Sequence, residues 1–252
     1  MSGHSKWATI KRKKGAIDAK RGKLFTKLIR EISVAARSGG GPNPDMNPRL
    51  RVAIERAREA SMPSDNIKRA VARGAGEGDD AVIYEETAYE GYGPGGAAVI
   101  AEALTDNRNR TSSELHQVFS RNGGNMGVPG SVAWMFQPAG IIQFDRKRFE
   151  EDALMAAALD AGAEDFRVAE STYDVVTAPD QLEKVKTALA AKGLESASAE
   201  LVRLPKTTVP LDGKAAEQMV RLMEALEEHD DVQRVWANFD ISEKLLETLV
   251  AV

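Results

Sequence analysis

The sequence predicts an α+β protein of three domains, and three observations carry that prediction. The first is a charge split. Residues 1–75 hold 18 Lys and Arg against 6 Asp and Glu, whereas the rest of the chain holds 16 against 32. A basic segment joined to an acidic body marks a separate module. The second is an ordered series of patterns from "GIIQFD" to "LESASAELVRL" that reads β-α-β-β-α-β. This is the split βαβ order of a ferredoxin-like sandwich. The third is that the strand patterns before this series need strands after it to close a sheet. The ferredoxin-like piece is therefore expected as an insertion in the middle domain. The expected division is a basic helical bundle over 1–78, a central α+β domain over 79–137 plus 205–252, and the inserted domain over 138–204.

The helical segment begins with an amphipathic run. Ile17, Leu24, Phe25, Leu28, Ile29, Ile32, Ala35 and Ala36 fall on one face at helical spacing. Lys13, Lys20, Lys23, Lys27 and Arg30 fall on the opposite face and are expected to point to solvent. "RSGGGPNPDMNPRL" then breaks the helix, and Asn47 with Pro48 supplies an N-cap and first helical residue. The next helix turns Leu50, Ala53, Ile54 and Ala57 inward, with Arg49, Arg51, Arg56 and Arg58 elsewhere. "MPSDNIKRAVARG" restarts a shorter helix, expected to be capped by Ser64 or Asp65 and stopped at Gly74. "GAGEGDD" is an acidic linker.

In the acidic body, "VIYEETAYE" reads as a strand, "GYGPGG" as a hairpin turn and "AAVIAEALT" as the returning strand. Gly91, Gly93 and Gly96 match the dinucleotide fingerprint G-x-G-x-x-G literally. The preceding run carries Glu85, Glu86 and Glu90, which a buried parallel strand would not, so the hairpin is the better reading. "TDNRNRTSSELHQVFSRNGG" reads as a helix with Leu115, Val118 and Phe119 inward and Gly123 ending it. "RNGGNMGVPGSVAWMF" is a shaped loop in which Val132, Trp134 and Phe136 are expected in strand core or on a sheet face. Within the insertion, "RKRFEEDALMAAALDAG" is helical, "DFRVAE" and "TYDVVTA" are strands, and Pro179 opens a second helix. "KTTVPL", "DGKAAEQMVRLMEALEEHD" and "VQRVWANFD" follow as strand, helix and strand.

Composition excludes several functions. The 252 residues include no cysteine, which removes disulfides, thiolate catalysis and Cys-based zinc sites. No apolar run reaches the roughly eighteen residues of a membrane span, so no membrane partner is expected. The N-terminus lacks a secretory apolar region, and it is richer in Lys than an organelle presequence would be. A cytoplasmic location is expected. His4, His116 and His229 lie in three separate regions at no ligand spacing, so no metal is expected, and His116 is expected to face solvent. No motif carries a catalytic mechanism. A non-enzymatic protein without cofactor, and a monomer, is the expectation.

Binding features remain. Lys6, Lys11, Arg12, Lys13, Lys14, Lys20, Arg21, Lys23, Lys27 and Arg30 form the candidate nucleic-acid-binding set, because cationic side chains gain affinity for phosphates by counterion release. Trp7 among them is read either as a base-stacking residue or as an anchor in the small helical core. Arg108 and Arg110, at a helix start that favours anions, form a candidate second contact.

"GHSKWATIKRKKGAIDAKRGKLFTKLIREI", "NPRLRVAIERA", "MPSDNI", "YEGYGPGG", "TDNRNRT" and "GGNMGVPGSVAWMF", in this order, closely resemble the YebC/PmpR family. That resemblance covers essentially the whole chain. It implies a cytoplasmic, three-domain, non-enzymatic protein, described for the family as a DNA-binding transcriptional regulator. Other members resemble ribosome-associated translation factors that relieve stalling, for example at proline runs. DNA and ribosomal RNA, with the ribosome, are therefore the two partners the resemblance implies.

Overall fold

The computed structural model of the chain describes Trp7 and residues 18–38, 40–77 and 83–250. Three helices form the basic domain: α1 (Asp18–Arg37), α2 (Pro48–Glu59) and α3 (Ser64–Ala75). Leu28, Ile32, Ala35 and Ala36 of α1 meet Leu50, Ala53, Ile54 and Ala57 of α2, and Ile67 and Ala70 of α3. Leu24, expected on this inner face, is 43% exposed. Phe25 and Leu28 already pack on the bundle core, and Leu24 lies at its edge.

Asn47 caps α2 as expected, its side-chain oxygen accepting from the Leu50 amide at 3.0 Å. Its amide group donates to the carbonyls of Ala35, Ser38 and Gly41 at 2.7–2.9 Å. One buried side chain thus starts one helix and satisfies the end of another. The expected ends of α3 are corrected. Pro63 holds the cap position without a side-chain bond, and Gly76, at φ 79°, is the left-handed stop. Gly74 lies inside the helix because a Cβ there would sit 2.2 Å from the Ser33 carbonyl oxygen of α1. The tight approach of α1 and α3 needs that glycine. Residues 78–82 of the acidic linker lie outside the described residues.

The central sheet has the order β3-β1-β2-β9, all antiparallel. Its strands are β1 (Glu85–Tyr92), β2 (Ala98–Thr105), β3 (Asn125–Met126) and β9 (Val232–Ala237). β1 and β2 are the expected hairpin around "GYGPGG", in register from Glu85↔Thr105 to Tyr92↔Ala98. That antiparallel return leaves no βα crossover for a dinucleotide fingerprint. One sheet face packs on α4 (Arg108–Arg121) and on α7 (Gly213–Glu228). Leu115 and Phe119 meet Met219, Leu222, Met223 and Leu226 over Val99, Ala101 and Val235.

Two expectations change here. Val209–Pro210 (β8) pairs in parallel with Phe239–Asp240 (β10) as a separate two-stranded sheet instead of joining the central one. A last helix, α8 (Glu243–Val250), adds Leu246 to the core and was not read from the pattern.

The insertion is a four-stranded antiparallel sheet in the order β5-β6-β4-β7, the strand arrangement of a ferredoxin-like sandwich. It comprises β4 (Phe136–Asp145), β5 (Asp165–Val168), β6 (Thr172–Thr177) and β7 (Ser198–Pro205). The helices α5 (Glu151–Asp160) and α6 (Leu182–Ala191) cover one face. Leu154, Val185 and Leu189 pack there on Ile142, Phe144 and Val175. Before β4, Val132 and Phe136 are buried as expected, but Trp134 is 63% exposed. A short 3-10 turn at Ala133–Met135 breaks the strand alternation and turns the indole outward. Among the described residues, no helix is long and apolar enough to cross a membrane.

Candidate nucleic-acid interface

Lys6, Lys11, Arg12, Lys13 and Lys14 lie outside the described residues, as do the side chains of Lys20 and Arg21 at the start of α1. Of the three further candidate cations on α1, Lys23 is exposed as expected, whereas the solvent-facing orientation of Lys27 and Arg30 is corrected: both are half-buried against the central domain. Lys27 Nζ donates to the Glu227 carbonyl at 2.6 Å, and Lys23 Nζ donates to the Glu228 carbonyl at 3.3 Å. Arg30 donates to the Asp230 carbonyl at 2.6 Å and to the Asp231 carboxylate at 2.5 Å. The physical reason is the end of α7. The last carbonyls of a helix have no partner within it and carry partial negative charge, and cations satisfy both needs. The cationic stripe of α1 lies along that end.

Trp7 reinforces the same junction. It is 1% exposed and its indole N–H donates to Glu227 Oε1 at 2.8 Å. It belongs to the apolar core of the central domain, which includes Leu222 and Leu226, and not to that of the helical bundle. The anchor reading holds, but the core it anchors in belongs to another domain.

Asp231 is the electrostatic centre of this junction. Besides Arg30, its carboxylate accepts from Thr111 Oγ1 at 2.5 Å and from Arg110 at 3.3 Å. Burial pushes the carboxyl upward in pKa. Hydrogen bonds from Thr111 and Arg30, the Arg30 charge and the Arg110 bond outweigh that and hold it below its ordinary 3.8. Arg110 also pairs with Asp106 at 2.6 Å, and Arg108 pairs with Glu85 at 2.7 Å. The candidate second contact is thus placed at the expected helix start, capped by Asn107, but each arginine already faces a carboxylate. His229 Nε2 donates to the Glu114 carboxylate at 2.9 Å, while its Nδ1 accepts the Asp231 amide at 3.2 Å.

Glu114, His229 and Asp231 bring ligand-type atoms within 4.8 Å of one another. The arrangement does not suit a cation, because two guanidinium groups already occupy Asp231 and an amide occupies the inner imidazole nitrogen. His116 is exposed on α4, as expected.

The helical domain also carries exposed cations that the candidate set omitted. Arg37, Arg51, Arg58, Lys68 and Arg73 are all exposed, and none makes an ion pair among the described residues. The charge split counted them, but their outward direction depends on which faces α2 and α3 bury. Arg49 and Arg56 differ, being paired with Glu86 and Glu31. Those two line an open cleft of 740 Å³ between α2, the central sheet and β7. Arg203 is paired there with Glu102 at 2.7 Å.

Two family models together span most of the chain. "TACO1/YebC protein N-terminal domain" matches residues 5–77, and "TACO1/YebC second and third domain" matches residues 84–239. A protein of Pelotomaculum thermopropionicum is 56% identical over 245 residues, covering 96% of this chain and all of the relative. A protein of Syntrophus aciditrophicus is 54% identical over 251 residues, covering the full length of both. Each is named a probable transcriptional regulatory protein. The crystal structure of a conserved hypothetical protein from Aquifex aeolicus superposes with a TM-score of 0.78 at 48% identity, covering 90% of this chain and 93% of that one. With both family models matched in order and relatives similar over their whole length, the chain belongs to the TACO1/YebC family.

Proposed function

We propose that this protein is a non-enzymatic, nucleic-acid-binding regulator of gene expression that acts on DNA. The observation that carries this reading is the surface of the helical domain, where Arg37, Arg51, Arg58, Lys68 and Arg73 stand exposed without ion pairs among the described residues. Unneutralised cations collected in one domain are the footprint of phosphate-backbone binding. The names of the relatives support a regulatory role. The cations divide their work in this reading. Lys23, Lys27 and Arg30 hold the body, and Lys6, Lys11, Arg12, Lys13, Lys14, Lys20 and Arg21 meet phosphates together with the five exposed residues. Arg108 and Arg110, engaged with carboxylates, orient the junction instead.

The test is a salt titration of the full chain on duplex DNA. With about six phosphates neutralised, log K should fall against log salt with a slope near −5. Arg51→Glu combined with Arg58→Glu should make that slope shallower by about 2. Because both sites are exposed, thermal stability should move by less than about 0.5 kcal/mol per site. A wild-type slope near zero overturns the reading.

A further inference from the structure

The loop before β4 is built to hold an exposed indole in a fixed position. Glu90 is buried, and its carboxylate accepts the backbone amides of Gly130, Val132 and Ala133 at 2.7–2.8 Å. Burial raises its pKa, but those three amides and the Arg203 charge outweigh it, so the carboxyl lies below its ordinary 4.5. Tyr92 adds a hydroxyl donated to the Ser131 carbonyl at 3.2 Å. Trp134 at the end of this loop donates its indole N–H to the same carbonyl at 3.0 Å. The polar edge of the ring is thereby satisfied within the loop, which leaves the exposed ring only apolar contact to offer. Rigid placement removes much of the ordering cost that a mobile side chain would incur on binding.

The charge around this indole selects among partners. Residues 115–144 contain neither Asp nor Glu, the longest acid-free run in the chain. Glu90, the carboxylate that holds the loop from beneath, is spent on amides. Lys206 donates to the Trp134 carbonyl at 2.8 Å, which holds an exposed ammonium at the backbone of the residue that carries the ring. On a body with a large acidic excess, this is a place where a polyanion meets no repelling carboxylate from the loop itself. An exposed aromatic face next to a cation is the combination that binds unpaired bases, by stacking and by backbone attraction.

We propose that Trp134 and Lys206 form a stacking platform for an unpaired base of a single-stranded nucleic acid, remote in sequence from the basic helical domain. The proposal rests on the nucleic-acid-binding function above and adds that part of the target is unpaired. It gives the acidic body a contact of its own and explains why a large aromatic side chain is held outward by a buried glutamate.

The three tryptophans make the test direct. Trp7 is 1% and Trp236 4% exposed, so a neutral quencher such as acrylamide chiefly reports Trp134. The full chain is titrated with oligo-dT and oligo-U of about a dozen nucleotides, and separately with a duplex of the same length. Single strands should protect Trp134 from quenching, and the duplex should not. Trp134→Ala should weaken single-strand binding roughly 5- to 100-fold, while Trp134→Phe, which keeps an aromatic face, should lose less. The deoxy and ribo arms tell which backbone is preferred. Full accessibility of Trp134 on a protein saturated with single strand overturns the platform, as does wild-type affinity in a folded Trp134→Ala. If that variant does not fold, protection in the wild-type protein decides. Binding confined to the duplex overturns the platform alone, and no binding in any arm overturns the functional reading with it.

Discussion

Asp231 sits where three elements meet, and the three polar partners of its carboxylate come from both sides of the junction. Arg30 arrives from α1, Arg110 and Thr111 from α4, and the carboxylate itself follows α7. Removing one partner of a buried ion pair leaves the other uncompensated, at a cost of about 3–5 kcal/mol. Asp231→Asn should therefore destabilise the folded chain by about that much in urea denaturation near neutral pH. The acid side follows from the depressed carboxyl. A folded-state pKa below the ordinary 3.8 means the contribution is fully present above that value and is lost as pH falls through the folded one. Wild-type stability should drop on acidification through this window, and the Asp231→Asn protein should drop less. Equal slopes in the two proteins would refute the assignment.

At the scale of elements, the end of α7 is completed by side chains that belong to α1. No residue of α7 itself is basic in its last turn, so its orphan carbonyls find their cations about two hundred residues away in the chain. Lys27→Glu would set a carboxylate against the Glu227 carbonyl, replacing a favourable helix-end charge by a repulsive one. A loss of about 1–2 kcal/mol is expected in thermal unfolding, against less than about 0.5 kcal/mol for exposed Lys68→Glu. Reversal at Lys27 would thus impair folding as well as any binding, which makes Arg51 and Arg58 the cleaner positions for separating the two. A comparable interlock joins α1 to α3, where Gly74 admits the Ser33 carbonyl and the Ser33 hydroxyl donates to the Ala70 carbonyl at 2.9 Å.

Over the whole molecule, the basic and acidic parts are coupled rather than strung together. The bundle has its own core of Leu28, Ile32, Leu50, Ile54 and Ile67, distinct from that of the central sheet. Trp7 crosses between them, since it precedes the bundle in the chain yet belongs to the central core and bonds Glu227 of α7. Trp7→Ala should cost about 3–5 kcal/mol of stability by leaving a cavity there. Limited proteolysis should then cut the N-terminal segment faster than in the wild-type protein while the bundle core stays protected. Unchanged cutting would mean that Trp7 does not tether the segment. The opposite charges of the two parts make the tether cooperative, because the carboxylate and carbonyl groups at the end of α7 attract the same helix that Trp7 brings near.

Much of this architecture was legible from residues that act locally. Asn47 before Pro48 and the glycines of "GYGPGG" declare a cap and a turn through bonds that span a few residues, and the structure has both. The order of strands and helices after Phe136 likewise determined a ferredoxin-like sheet, since short connections and burial leave few arrangements. What the sequence could not decide was which partner a charged or aromatic side chain finds far along the chain. Lys27, Arg30 and Arg58 look alike as residues on a polar helix face, yet the first two close onto α7 and the third stays in solvent. Trp7 is read either as a base-stacking residue or as an anchor and Trp134 as strand core or sheet face, yet the first is buried and the second is held outward. Composition determined that a cationic module sits on an acidic body. Only the packing of α1 against the end of α7 decided which of its cations are left for a partner, because periodicity specifies the face of a helix but not what lies opposite it.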